Sequence, residues 1–166
     1  MTVDSYKWLP PSLKAYFENM RIEPPGAIPW APLAKPLREA RIALVTTAGI
    51  NVRGVEPPFD YEREQSHPDW GDPTYRMLPR DLHQEQVQSG HLHINNDDIN
   101  ADFNVALPVS RMLELEAEGV IGSLAQTNYS FMGYQPDTTE WRERYAPEVA
   151  RRMKDDRVDG VLLTPV

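Results

Sequence analysis

The stretch Arg41-Ile42-Ala43-Leu44-Val45-Thr46, followed by Thr47-Ala48-Gly49, decides the fold class. Four consecutive apolar residues predict a strand buried on both faces, as in a sheet covered by helices. The small residues Thr46 to Gly49 read as a loop at its carboxyl end. Working outward, strand and helix patterns alternate. Val120 to Leu124 reads as a second strand, and Val158 to Leu163 as the last. Leu107-Pro108 opens a helix over about 109–118, with Ser110 near its cap and Met112, Leu113 and Leu115 supplying apolar contacts. Gly119 suits its C-terminal stop. Pro147 suits the first turn of a helix over about 146–156, with Val149 and Met153 on one face. The alternation predicts an α/β fold: a single layered domain over residues 41–166, with a partly parallel sheet flanked by helices.

The remaining segments carry weaker patterns. Residues 1–40 read as a proline-rich N-terminal arm packing on the domain. Pro11 can start a helix in which Leu13, Tyr16 and Phe17 share a face, and Pro24-Pro25-Gly26 and Pro29 break it. Trp30 and Leu33 are its anchors. Residues 51–80, with prolines at 57, 58, 68, 73 and 79, read as a long loop. A loop of that length is uncommon in a compact domain unless it is functional. His91-Leu92-His93-Ile94-Asn95 alternates polar and apolar residues, which predicts a short half-buried strand. Tyr129 to Tyr134 reads as an aromatic loop, walling a pocket or packing in the core. Glu114, Glu116 and Glu118 read as a solvated run.

Composition narrows the function classes. The 166 residues are 40% apolar and 25% charged, as in globular chains, and the 16 prolines exceed the usual share. A net charge of −8 argues against nucleic acid or anionic membranes as partners, since both select basic surfaces. The absence of cysteine excludes disulfides, thiolate metal sites and thiol catalysis by this chain's own residues. No long apolar run resembles a membrane span, and no signal peptide is evident, so a cytoplasmic protein is expected.

Several groups point to chemistry. In open α/β sheets ligands gather beyond the carboxyl ends of strands, which picks out Thr46 and Thr47 as substrate-binding or as loop caps. On a strand, His91 and His93 would face the same side. Such a pair suits proton transfer, or a divalent metal with Asp98 as a further ligand. Gly71-Asp72-Pro73-Thr74-Tyr75-Arg76 joins an acid, a phenol and a guanidinium. Arg76 would grip the carboxylate and Asp72 the amine of an amino-acid-like substrate, or the two would pair internally. Arg111 and Tyr129 would line the site, or belong to the helix surface and the core. There is no phosphate-binding glycine loop, nucleophile elbow or HExxH motif.

An ordered set of strings resembles the selenoprotein B family of glycine, sarcosine, betaine and D-proline reductases. They are Ala43 to Ile50, Gly71 to Arg76, His91-Leu92-His93, Asp98-Ile99-Asn100, Leu107-Pro108 with Arg111, Gly119 to Ser123, Tyr129 to Gly133, and the terminal strand Asp159 to Val166. The resemblance implies an oxidoreductase that cleaves a C–N bond of a small amino acid or betaine reductively. It also implies a pyruvoyl group on a reductase partner subunit, and a selenocysteine or cysteine directly after Val166. One reading is that the frame was ended at a UGA selenocysteine codon. Two others are a thiol-free relative using metal- or histidine-based chemistry on a small polar substrate, and a non-catalytic subunit, either of which could be a homo-oligomer.

Overall fold

The computed structural model describes residues 7–19, 26, 27 and 31–166. The chain divides into a unit over Met1–Pro32 and a larger one over Leu33–Val166. The smaller holds helix α1 (Pro11–Asn19), started by proline as expected. The side chains of Tyr16 and Phe17, and residues 24, 25, 29 and 30 with the expected anchor Trp30, lie outside the described residues.

The larger unit is α/β. Strand β1 (Arg41–Thr46) is its centre. It alternates in the manner of any strand: Ile42 and Leu44 enter one apolar core, and Ala43 and Val45 enter another. A short strand, β2 (Ile50–Val52), follows. Helix α2 (Tyr61–Ser66) and strand β3 (Tyr75–Pro79) come next. The expected long loop over 51–80 is therefore corrected. Asp60 caps α2 by accepting from the Arg63 amide at 3.0 Å. β3 is a strand because it pairs antiparallel with β6 (Thr127–Phe131), from Tyr75↔Phe131 to Pro79↔Thr127. Its own sequence, interrupted by arginine and proline, does not announce it.

Strand β4 (Val87–Ser89) pairs with β2, and helix α3 (Asp97–Ala101) follows. The expected strand over 91–95 is a turn. His91 Nδ1 accepts from the His93 amide at 3.1 Å, and the His91 carbonyl accepts from Asn96 Nδ2 at 2.9 Å. These local bonds take the groups a ladder would use.

Helix α4 (Val109–Ala117) ends before Gly119, whose φ of +73° satisfies the expected stop. Glu116 is not a solvated charge: it pairs with Arg80 at 3.1 Å and accepts from the Leu124 amide at 2.7 Å. The expected second strand contracts to β5 (Ser123–Leu124), with Tyr129 to Phe131 belonging to β6 rather than to a loop. Helix α5 (Ala146–Asp155) is preceded by a wider helical turn over Trp141–Tyr145. Strand β7 (Gly160–Thr164) closes the chain's sheet.

β1 runs parallel to β5, β6 and β7, and β3 is antiparallel to β6. Helix α4 contributes Val109 and Met112 to the core beneath one face, and α5 contributes Val149 and Met153 to the other. Beyond Thr164 the chain continues along Thr47, whose Oγ1 accepts from the Val166 amide at 2.9 Å.

Candidate functional site

The carboxyl ends of β1 and β7 lie side by side, in register at Thr46↔Thr164. Thr46 is fully buried; its hydroxyl donates to the Thr164 carbonyl at 3.2 Å and accepts from the Ala48 amide at 3.2 Å. Thr47 Oγ1 holds Val166. The two hydroxyls therefore fasten the end of β7 to the mouth of β1.

The turn carrying His91 is tied to the same mouth. Ser89 Oγ donates to the Ala48 carbonyl at 3.0 Å and lies 2.7 Å from Asn96 Oδ1, and Asn96 in turn holds the His91 carbonyl. The His91 ring reaches Gly133. A Cβ placed on Gly133 would lie 3.0 Å from the Val166 carbonyl oxygen, 3.1 Å from His91 Nε2 and 3.1 Å from the Thr47 carbonyl oxygen. Glycine is needed at 133 because three groups converge there, not because of its φ.

His91 is 3% exposed. Its Nδ1 accepts a backbone hydrogen bond, so Nε2 carries the proton of the neutral ring. That Nε2–H is buried and has no hydrogen-bond partner among the described residues. Burial, and secondarily the neighbouring His93, push the imidazole below its ordinary range, which favours the neutral form. The mouth therefore presents a buried, uncharged donor with unmet hydrogen-bonding capacity, a feature that native interiors seldom leave without a purpose.

The His93 ring lies 5.8 Å from that of His91, edge to face, and 4.1 Å from that of Tyr134. His93 Nε2 is 3.1 Å from Glu64 Oε1; the imidazole is half exposed, whereas the carboxylate is buried. Burial pushes Glu64 above the usual carboxylate range, and His93 opposes that shift. Tyr61, one turn earlier on α2, donates from its hydroxyl to the Gly49 carbonyl at 3.3 Å. Its hydroxyl is pushed up to about 12 by burial, with Arg76 opposing. Glu64 and Tyr61 were missed from sequence. Their only signal was the i, i+3 spacing on a six-residue polar helix that the prolines around it disguised.

Asp72 and Arg76 are brought together, as a buried pair 3.6 Å apart. Arg76 Nε donates to the Pro57 carbonyl at 2.7 Å, Nη2 to the Pro58 carbonyl at 2.9 Å and Nη1 to Thr74 Oγ1 at 2.8 Å, while the guanidinium lies 4.1 Å from the Phe59 ring centroid. Asp72 Oδ2 accepts from the Asp60 amide at 3.0 Å and Oδ1 from the Thr74 amide at 2.9 Å. Of the two readings offered by the sequence, this geometry matches the internal pair, which fastens the 57–76 segment.

Arg111 is exposed on α4 and pairs with Glu114 at 2.9 Å. Tyr129 is 2% exposed in the core with Phe131, Val149 and Met153. Asp98 is exposed on α3. Among the described residues no three histidine, aspartate or glutamate side chains form a group that could hold a metal ion. The expected set of His91, His93 and Asp98 is thus not assembled, because the turn at 91–95 directs the rings toward Gly133 and Glu64.

A cavity of about 330 Å³ lies at the opposite end of the sheet, lined by Leu37, Ile42, Met112, Ile121, Gly160 and Leu162 among others. It contains no chemistry-bearing side chain. No helix among the described residues is long and apolar enough to cross a membrane.

Comparison with known proteins agrees with the resemblance drawn from the ordered strings. Residues 14–166 match the family model for glycine/sarcosine/betaine reductase selenoprotein B. The chain is 35% identical over 143 residues to the D-proline reductase subunit gamma of Acetoanaerobium sticklandii, covering 86% of this chain and 54% of that relative. It is 38% identical over 137 residues to the glycine reductase complex component B subunit gamma of Symbiobacterium thermophilum, covering 82% of this chain and 31% of the relative. It is 35% identical over 131 residues to the betaine reductase complex component B subunit beta of Peptoclostridium acidaminophilum, covering 78% and 29%. The chain thus spans about half, or less, of the length of these curated relatives. No solved structure matches it.

Proposed function

The chain belongs to the glycine/sarcosine/betaine reductase selenoprotein B family, and on that premise we propose that it forms the proton-handling side of a reductase active site. The reaction is reductive cleavage of the C–N bond of a small amino acid or betaine, in the cytoplasm. The observation that carries this reading is the buried Nε2–H of His91, unpartnered among the described residues, beside the ends of β1 and β7.

Reductive C–N cleavage requires a nucleophile that bonds to the carbon as the nitrogen departs with a proton, and then a two-electron donor of dithiol class, from outside this chain, that frees the reduced carbon. The resemblance assigns the first to a selenol or thiol. This chain has no cysteine, so a thiol nucleophile comes from outside these 166 residues, and the mouth beside Val166 is where it would act. His91 contributes a neutral hydrogen-bond donor in a dry setting, where it stabilises a developing anion without carrying a charge of its own. His93, half exposed beside it, takes the proton of the incoming selenol or thiol and passes it to the departing amine. Thr46 and Thr47 hold the end of β7 so that the two strand ends keep one geometry. By resemblance, a pyruvoyl group on a partner subunit supplies an electrophilic carbonyl; no residue of this chain is assigned to hold it.

Assembly with other subunits has separate support. Among the described residues β7 pairs only with β1, and Val161, Leu162 and Leu163 are 43%, 41% and 66% exposed. An apolar strand left at a sheet edge is a template for further pairing. This favours a chain that works inside a complex, as its relatives' names describe them.

The test is genetic complementation in the native host. Cells lacking the gene should lose reductive cleavage of one of glycine, sarcosine, betaine or D-proline. The wild-type gene should restore it and His91→Ala should not. Undiminished cleavage of all four in the deletion strain overturns the proposal.

A further inference from the structure

The geometry points to Glu64 as the positioning residue for His93, holding the imidazole through Nε2 and presenting Nδ1 as the working nitrogen. The two elements come from distant parts of the sequence. α2 brings Glu64 in from beneath, and the turn after β4 brings His93 over it. Glu64 is 3% exposed, which is rare for a carboxylate that lacks a strong partner. Apart from His93 Nε2 at 3.1 Å, neither of its oxygens has a hydrogen-bond partner among the described residues, and the N–H is not aligned on the oxygen. Catalytic contacts are commonly long or misaligned before substrate binds. Among the described residues Glu64 makes no ion pair with an arginine or lysine, and the buried Arg76 has its donors engaged by Pro57, Pro58 and Thr74.

A second contact limits the ring's freedom. Tyr134 stacks on His93 at 4.1 Å with an interplanar angle of 35°, and its hydroxyl is itself tied to the Pro68 carbonyl. Carboxylate at one nitrogen and phenol ring on the face leave Nδ1 as the atom able to meet a substrate. A carboxylate that accepts from one ring nitrogen fixes the tautomer at the other, as in acid–base triads. Both imidazoles at the mouth then hold the same tautomer, with the proton on Nε2. In His91 the backbone imposes it, and the proton points inward. In His93 Glu64 imposes it, and the free base points outward.

This inference rests on the reaction site proposed above, but its test does not. Long-range ¹H–¹⁵N spectra of the full chain, with the four histidines assigned by substitution, report the tautomer of His93 directly. The expected result is a neutral His93 protonated at Nε2 in the wild type, retained in Glu64→Gln, whose carbonyl still accepts. Glu64→Leu should mix the two tautomers. In the reconstituted reductase, Glu64→Leu should lower kcat about tenfold or more with little change in KM, and Glu64→Gln should recover most of the loss. An Nδ1–H tautomer in the wild type overturns the assignment, even if Glu64→Leu fails to fold. An unchanged Nε2–H tautomer in a folded Glu64→Leu does the same. Correct tautomers with unchanged turnover would leave Glu64's hold on His93 intact and sink the reaction site instead.

Discussion

His91 Nε2 lies 3.1 Å from the point that a Cβ on Gly133 would occupy, with the Thr47 and Val166 carbonyl oxygens as near. The most sensitive position in the candidate site is therefore a residue without a side chain. Gly133→Ala should push the imidazole and the β7 end apart by a few tenths of an ångström. Crowding of this kind costs about 1–3 kcal/mol, so the variant should fold with a lowered Tm. Complementation should fail for it as for His91→Ala. A variant as active and stable as wild type would show that the three groups do not act as one site.

His91 also predicts a pH dependence. The unfolded chain protonates this imidazole at its ordinary value, near 6.5, and the folded chain only at lower pH, because burial disfavours the cation. Between those two values the unfolded state binds more protons, so folded stability falls as pH drops through 6.5 and levels off below the folded value. Glu64, raised above 4.5, has the opposite sign: its contribution is lost as pH rises from 4.5 through its folded value. His91→Asn keeps an acceptor for the His93 amide and removes the titration. Thermal melts across mildly acidic pH should show a shallower loss of Tm in that variant. Parallel Tm–pH curves would contradict the neutral, buried state of His91.

Arg76 should matter for stability rather than for substrate binding. Removing it leaves Asp72 buried without its cation and frees the Pro57 and Pro58 carbonyls. Breaking such a pair costs about 3–5 kcal/mol. Arg76→Lys should recover only part of this, because an ammonium cannot reproduce the planar fork. Chemical denaturation measures both. A loss below about 1 kcal/mol for Arg76→Ala would mean that the pair does not fasten the segment.

The β7 edge gives a prediction about assembly. Leu163 is 66% exposed, so Leu163→Lys should change stability by no more than about 0.5 kcal/mol. A charge there should block strand pairing at the edge. Light scattering coupled to size exclusion, together with recovery of bound subunits from the native host, should show reduced association. Unchanged association would place the partner surface elsewhere.

The sequence determined the class of fold through patterns that are local. Ile42 to Val45 is apolar without interruption, Val149 and Met153 share a helix face, and Gly119 ends a helix. Each depends on neighbours within a turn or two, and each is where it was expected. The ordered strings also carried the family. Local reading failed where pairing is remote. β3 contains an arginine and a proline and becomes a strand only because β6, some fifty residues later, offers it a ladder. His91 to Asn95 alternates like a strand yet turns, because its ring and Asn96 satisfy the backbone first.

The site divides along the same line. The histidine pair and the threonines at the end of β1 were visible as residue types suited to chemistry. Which groups meet them was not, since no spacing in the chain relates Glu64 to His93 or Gly133 to His91. Only the tertiary structure decided that a carboxylate from α2 lies under one imidazole while the other buries an unpartnered N–H against a glycine. The reason is physical: periodicity records which face of an element is buried, whereas the partner across the interface is chosen by how the layers pack.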